Sequence, residues 1–207
     1  MDKIYDRYPI LLTIKEDIEN AVKILTDCAK CGNKILLCGN GGSSADSAHI
    51  AGELLKGFIK KRPLSREKKD KLSALGDKGE LLATQLQGGI PAIDLTAQSA
   101  ILTAFMNDVD ADSIYAQLVN AYAKEGDVII GITTSGNAEN VLRAFVCAKA
   151  NGMNTILLTG GNGGKCKKYA DVSIIAPETE TYKVQEYHLP IYHYLCMEVE
   201  ENVFGEE

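Results

Sequence analysis

The chain has 207 residues and a formal net charge of −6. It is long enough for a sizeable hydrophobic core and too acidic for a nucleic-acid surface to be its main business. With 45% hydrophobic and 24% charged residues it is not a disordered polar chain. No apolar run approaches the roughly 18 residues of a membrane span, and the opening MDKIYDRYPI lacks the apolar stretch of a signal peptide. A cytoplasmic protein with neither a membrane nor a nucleic-acid partner is expected.

Ile10, Leu11, Ile14, Ile18, Ala21, Ile24, Leu25 and Cys28 recur at helical spacing. One long amphipathic helix is therefore predicted over 3–31, within an N-terminal segment 1–32 that Gly32 ends. Cys28 and Cys31 form a CxxC, but a structural zinc site needs a second pair and none follows. The scattered cysteines read as small hydrophobes of a reducing compartment. A buried strand is predicted over 35–38, then a turn, Gly39-Asn40-Gly41-Gly42, then a helix over 43–57. Ser43 or Ser44 is expected to cap that helix, and Ser43 with Asp46 has the capping-box spacing. Unpaired amides and the positive dipole end at such a start favour an anion. Along the same helix His49 and Glu53 are four residues apart and share a face.

Residues 60–72 are basic and read as solvated surface, and 73–90 as a loop with a short helix; together 60–90 resembles an insertion. A strand over 91–96, a helix over 97–106 and a turn at Asn107-Asp108 follow. Asp112 is expected to cap a helix running to Lys124. VIIGI at 128–132 reads as a parallel strand covered on both faces. The loop Thr133-Thr134-Ser135-Gly136-Asn137, a helix over 138–151, a strand over 155–158 and a Gly-rich turn over 160–164 come next. A short helix over 165–170, a strand over 172–176 and a helix over 182–203 complete the chain. Pro190 is expected to kink that last helix.

Strands alternating with helices predict a single α/β domain over 1–207: a three-layer α/β/α sandwich around a parallel sheet, with a long N-terminal helix. Ligands of such sheets bind beyond the carboxyl ends of the strands, where NGGSS (40–44) and TTSGN (133–137) lie. Nucleotide motifs fail in detail. The nearest P-loop frame starts at Thr159 and has Cys166 after Lys165, and Ser44 occupies the third position of a GxGxxG frame. Neutral hydroxyls and helix amides suit a phosphate monoester. The histidines are His49, His188 and His193; Gln185 and His193, eight residues apart, fall on broadly the same side of the last helix.

At CGNGGSSADSAHIAGEL (38–54), Asn107-Asp108, TTSGNAENV (133–141) and VQEYHLPIYH (184–193), the chain resembles the phosphoheptose isomerases of the sugar isomerase (SIS) family. The resemblance implies the SIS fold and a homotetramer. It implies an isomerase that interconverts sedoheptulose 7-phosphate and D-glycero-D-manno-heptose 7-phosphate through an enediol, the entry to bacterial heptose synthesis. It also implies one Zn2+ per subunit, with His49, Glu53, Gln185 and His193 as ligands and Glu53 and His193 as the acid–base pair. Asn40, Gly41, Gly42, Ser43, Asn107, Asp108, Thr133, Thr134 and Ser135 are implied to bind substrate, together with Glu53 and Gln185. Ala138 stands where the family commonly has serine, which keeps an isomerase for another sugar phosphate in view. A non-catalytic SIS protein that binds a sugar phosphate or a replication initiator is the competing reading.

Overall fold

The computed structural model describes residues 3–205. Five short apolar segments form one parallel sheet: β1 (Ile35–Gly39), β2 (Ala92–Asp94), β3 (Val128–Ile132), β4 (Asn154–Thr159) and β5 (Val172–Ile175), in the order β2-β1-β3-β4-β5. β1 and β3 are buried along their whole lengths, as continuous apolar runs in a doubly covered sheet must be. Alternate side chains feed two cores. Ile35, Leu37, Ile130, Ile132, Ile156 and Leu158 pack on one face against α2 (Lys15–Lys30), α3 (Gly42–Leu55) and α9 (Thr181–Phe204). Leu36, Cys38, Ile129 and Leu157 pack on the other against α7 (Ile114–Tyr122) and α8 (Glu139–Ala150). The result is the three-layer α/β/α sandwich. Gly131 lets α8 close on the sheet, since a Cβ there would stand 2.7 Å from Val141 Cγ1.

Several boundaries differ from the sequence reading. The N-terminal helix is broken into α1 (Lys3–Arg7), a 3-10 turn (Pro9–Ile14) and α2. Pro9 has no N–H and starts a new turn at the position where that loss costs least. Residues 1–2 of the N-terminal segment 1–32 lie outside the described residues. The basic segment holds a helix, α4 (Arg66–Ser73), capped by Ser65, whose side chain accepts from the Lys68 amide. α5 (Asp77–Gln85) packs against it as a helical hairpin. Strand 91–96 shortens to Ala92–Asp94, because Asp94 caps a 3-10 turn through the Thr96 amide. Asn107 and Asp108 form the last residues of α6 (Ser99–Asp108) rather than a turn. Asp110, not Asp112, caps the turn leading to α7. The 165–170 helix is a 3-10 turn, Cys166–Tyr169. α9 runs unbroken from Thr181 to Phe204 with Pro190 inside it. Among the described residues, no helix is long and apolar enough to cross a membrane.

Candidate active site

Two clusters of chemistry lie along α3. The first surrounds its start. No side chain caps α3; its N-cap is Gly41, at φ 55°, a conformation glycine adopts without strain. Neither Ser43 nor Ser44 takes the predicted capping role. Ser43 is buried in the first turn, where its carbonyl accepts from Ser47 Oγ (3.0 Å), and Ser44 Oγ donates to Thr96 Oγ1 (2.6 Å). The amides of Ser43 and Ser44 donate to the carbonyls of Asn40 (3.0 Å) and Gly41 (3.1 Å), which tightens the first turn of α3. Gln185 of α9 lies directly over Gly42, and a Cβ at residue 42 would collide with its side-chain amide.

Beside it stands the loop after β3. Asn40 and Asn140 exchange a reciprocal pair of amide hydrogen bonds, both 2.9 Å. Tyr115 fixes the β1 end by donating to the Gly39 carbonyl (2.6 Å). Thr133 is buried and Ser135 exposed, and Ser135 Oγ accepts from the Asn137 amide (3.2 Å). The amides of Gly136 and Gly160 donate to the carbonyls of Thr133 (3.1 Å) and Thr134 (3.0 Å). Gly136 has φ +67°, and a Cβ there would fall on the Gly163 carbonyl. Gly136→Ala is thus expected to push the two strand-end loops apart, costing roughly 1–3 kcal/mol of stability, with a weakened hold on phosphate as its functional sign. Urea unfolding and phosphate-ester titration of this variant check both.

The second cluster lies further along α3. His49 Nε2 is 3.3 Å from Glu53 Oε1, and His49 Nδ1 is 3.0 Å from the Tyr192 hydroxyl. That hydroxyl donates to Asp46 Oδ1 (3.4 Å). The His193 ring meets the His49 ring edge to face at 5.0 Å and lies 5.6 Å from the Phe58 ring. Glu53 Oε2 is buried without a hydrogen bond; the Lys56 ammonium, at 3.6 Å, stands just beyond bonding distance. Burial, reinforced by His49 and opposed by Glu53, pushes the His193 pKa down, so its ring is neutral at neutral pH. Burial also raises the Asp46 carboxyl, against the opposing effects of Tyr192 and His49.

The structure therefore brings His49, Glu53 and His193 together, and separately joins Gln185 to the Gly42 turn. Eight residues of helix separate Gln185 from His193, a rise of about 12 Å. Imidazole and carboxylate are ordinary zinc donors, whereas an amide is not. Among the described residues, no group of three or more His, Cys, Asp and Glu side chains is arranged to hold a metal ion. The four-ligand set does not assemble within one chain. Asn107 donates to Asp108 (2.8 Å) on the exposed α6, and among the described residues no hydrogen bond joins either to the two clusters. Tyr192, Phe58, Tyr115 and Asn140 escaped the sequence reading, which gave Asp46 a capping role rather than its place beside Tyr192 and His49. The signal for that place was its position one turn before His49 on the Glu53 face.

His188 belongs to neither cluster. It is fully buried, and its Nε2 donates to the Thr159 carbonyl (3.2 Å). Burial, only partly offset by that hydrogen bond, pushes its pKa from 6.5 to about 4. Between these values the unfolded chain binds the extra proton, so stability falls as pH drops from about 6.5 towards 4, by about 3 kcal/mol over the whole window. Urea unfolding at about pH 7 and about pH 5 should show this loss, and His188→Gln should flatten it.

Residues 96–193 match the SIS domain family, and residues 9–69 match a second SIS domain family. A phosphoheptose isomerase of Clostridium acetobutylicum is 42% identical over 192 residues, covering 93% of this chain and 85% of that protein. One of Aquifex aeolicus is 42% identical over 189 residues, covering 91% and 85%. The solved structure of a phosphoheptose isomerase from Francisella tularensis superposes with a TM-score of 0.74 at 30% identity, covering 97% of each chain. That of a phosphoheptose isomerase from Neisseria gonorrhoeae gives 0.70 at 29% identity, over 95% of this chain and 97% of that one. Likeness at this level across nearly the whole length, on the same fold, makes the chain a member of the phosphoheptose isomerase family of SIS proteins.

Proposed function

We propose that the chain is an aldose–ketose isomerase that interconverts sedoheptulose 7-phosphate and D-glycero-D-manno-heptose 7-phosphate, at the entry to bacterial heptose synthesis. The observation that carries this reading is the meeting of a largely buried, partly unbonded carboxylate with two imidazoles, on the helix that follows the Gly-rich turn after β1. Glu53 takes the proton from C1 of the ketose and returns it to C2. His193, neutral at working pH, gives its ring proton to O2 and recovers one from O1 as the aldehyde forms. The cis-enediol lies between the two transfers. Gly41, Gly42 and Ser43 with Thr133, Thr134 and Ser135 hold the phosphate, and Asn40, locked by Asn140, orients the sugar hydroxyls. Asn107 and Asp108 are assigned to the substrate's open side.

The working form is a homotetramer of the cytoplasm. In that assembly a complete site joins the Gly42 turn and Gln185 of one copy to the His49, Glu53 and His193 of another. The zinc that the family resemblance implies would need the His49, Glu53 and His193 side chains to turn together from the positions they hold here, with the second copy's Gln185 as fourth donor, and would then polarise the substrate carbonyl. Purified protein is to be mixed with sedoheptulose 7-phosphate and followed by NMR for the aldose, with the assembly weighed in solution and its metal content measured. No aldose from a correctly folded sample would end the isomerase reading; a monomer would end the shared site.

A further inference from the structure

Between the acid–base pair and the far end of α9 lies a fully buried ion pair that the chemistry above does not use. Arg62 and Glu200 are 0% and 1% exposed, and Arg62 Nε donates to Glu200 Oε1 (2.7 Å). A buried charge pair is no simple source of stability, so its connections are the informative part. The Arg62 guanidinium also donates to the carbonyls of Leu54 (2.6 Å) and Glu53 (3.1 Å). These belong to the last turn of α3, where carbonyls lack intrahelical partners. The Glu200 carboxylate accepts from the amides of Phe58 (2.8 Å), Ile59 (2.8 Å) and Lys60 (3.0 Å). Phe58 packs on the His193 ring, and Glu200 lies two turns beyond His193 on the same face of α9. One ion pair thus grips the backbone of Glu53, the aromatic wall of His193 and the helix that carries His193.

We infer that Arg62 and Glu200 are positioning residues for the isomerisation: the pair sets the spacing between the Glu53 carboxylate and the His193 ring. The inference rests on the proton-transfer roles proposed above. Its test is the double variant R62M/E200Q, which removes both charges together and so avoids stranding either, with R62K as a second variant. Lysine keeps the charge but has no fork to reach Glu200 and two carbonyls at once. A misplacement near 1 Å predicts a kcat lower by about ten- to a hundredfold, with KM little changed. It also predicts a larger kinetic isotope effect with sedoheptulose 7-phosphate deuterated at C1, because proton transfer becomes slower relative to the other steps. A merely structural role would lower the active fraction and leave the isotope effect alone. Unchanged kcat and isotope effect in folded R62M/E200Q, or in R62K should the double variant fail to fold, would overturn the clamp alone. An inactive unaltered enzyme would sink the isomerase reading and the clamp with it.

Discussion

Replacing Glu53 by glutamine is expected to slow turnover of sedoheptulose 7-phosphate severely while leaving the fold intact. Glutamine keeps an oxygen for His49 and fills the same space, so the imidazole partner at 3.3 Å is retained. What goes is the basic oxygen that sits buried and unbonded beside it. A positioned general base contributes about 10²–10⁴ in rate, so kcat/KM should fall by about that factor. His193→Ala should fall comparably, and the double variant should be little worse than either single one, because the proposed mechanism puts both groups in one proton circuit. Steady-state kinetics on all three, with circular dichroism to confirm folding, decide the matter. Near wild-type turnover in Glu53→Gln would leave a sugar-phosphate-binding protein without catalysis.

The largest stability effect is expected at Glu200. Glu200→Leu leaves the Arg62 guanidinium buried without its counter-charge and strips the amides of Phe58, Ile59 and Lys60 of their acceptor. Breaking a buried pair from one side costs about 3–5 kcal/mol, which for a chain of this size lowers Tm by about 10 °C. The neutral double change R62M/E200Q should recover most of that loss, since no uncompensated charge remains. Calorimetry on the three proteins tests the ordering. A Glu200→Leu protein as stable as the parent would mean that water reaches the guanidinium.

The reading of the sequence succeeded where one periodicity decides an element. VIIGI could hardly be anything but an inner strand, and the strand-end loops followed from the glycines and hydroxyls beside it. It failed where a local signal was outvoted. The apolar spacing from Ile10 to Cys28 runs through the 3-10 turn into α2 without a gap, so the break after Tyr8 was hidden although Pro9 marked it. α4, REKKDKLS, has no apolar face at all, and Ser65 was its sole announcement. The capping of α3 by Gly41 rather than serine depends on a positive φ that no spacing reveals. The companionship of His49 with Glu53 was legible because it is local. Tyr192 on His49 and Arg62 on Glu200 join residues more than a hundred positions apart. A single sequence carries no mark of such pairings.

The α4–α5 hairpin buries little: no residue of α4, and only Gly79 and Ala83 of α5. It is clasped at its base, where Pro63 bridges Gln87 and the Gly88 amide donates to the Arg62 carbonyl (2.6 Å). Its amides should therefore exchange with deuterium long before those of the sheet, and a protease should nick it first. Because the clasp abuts the buried arginine, such a cut would spare the sheet while loosening the end of α3 that carries Glu53.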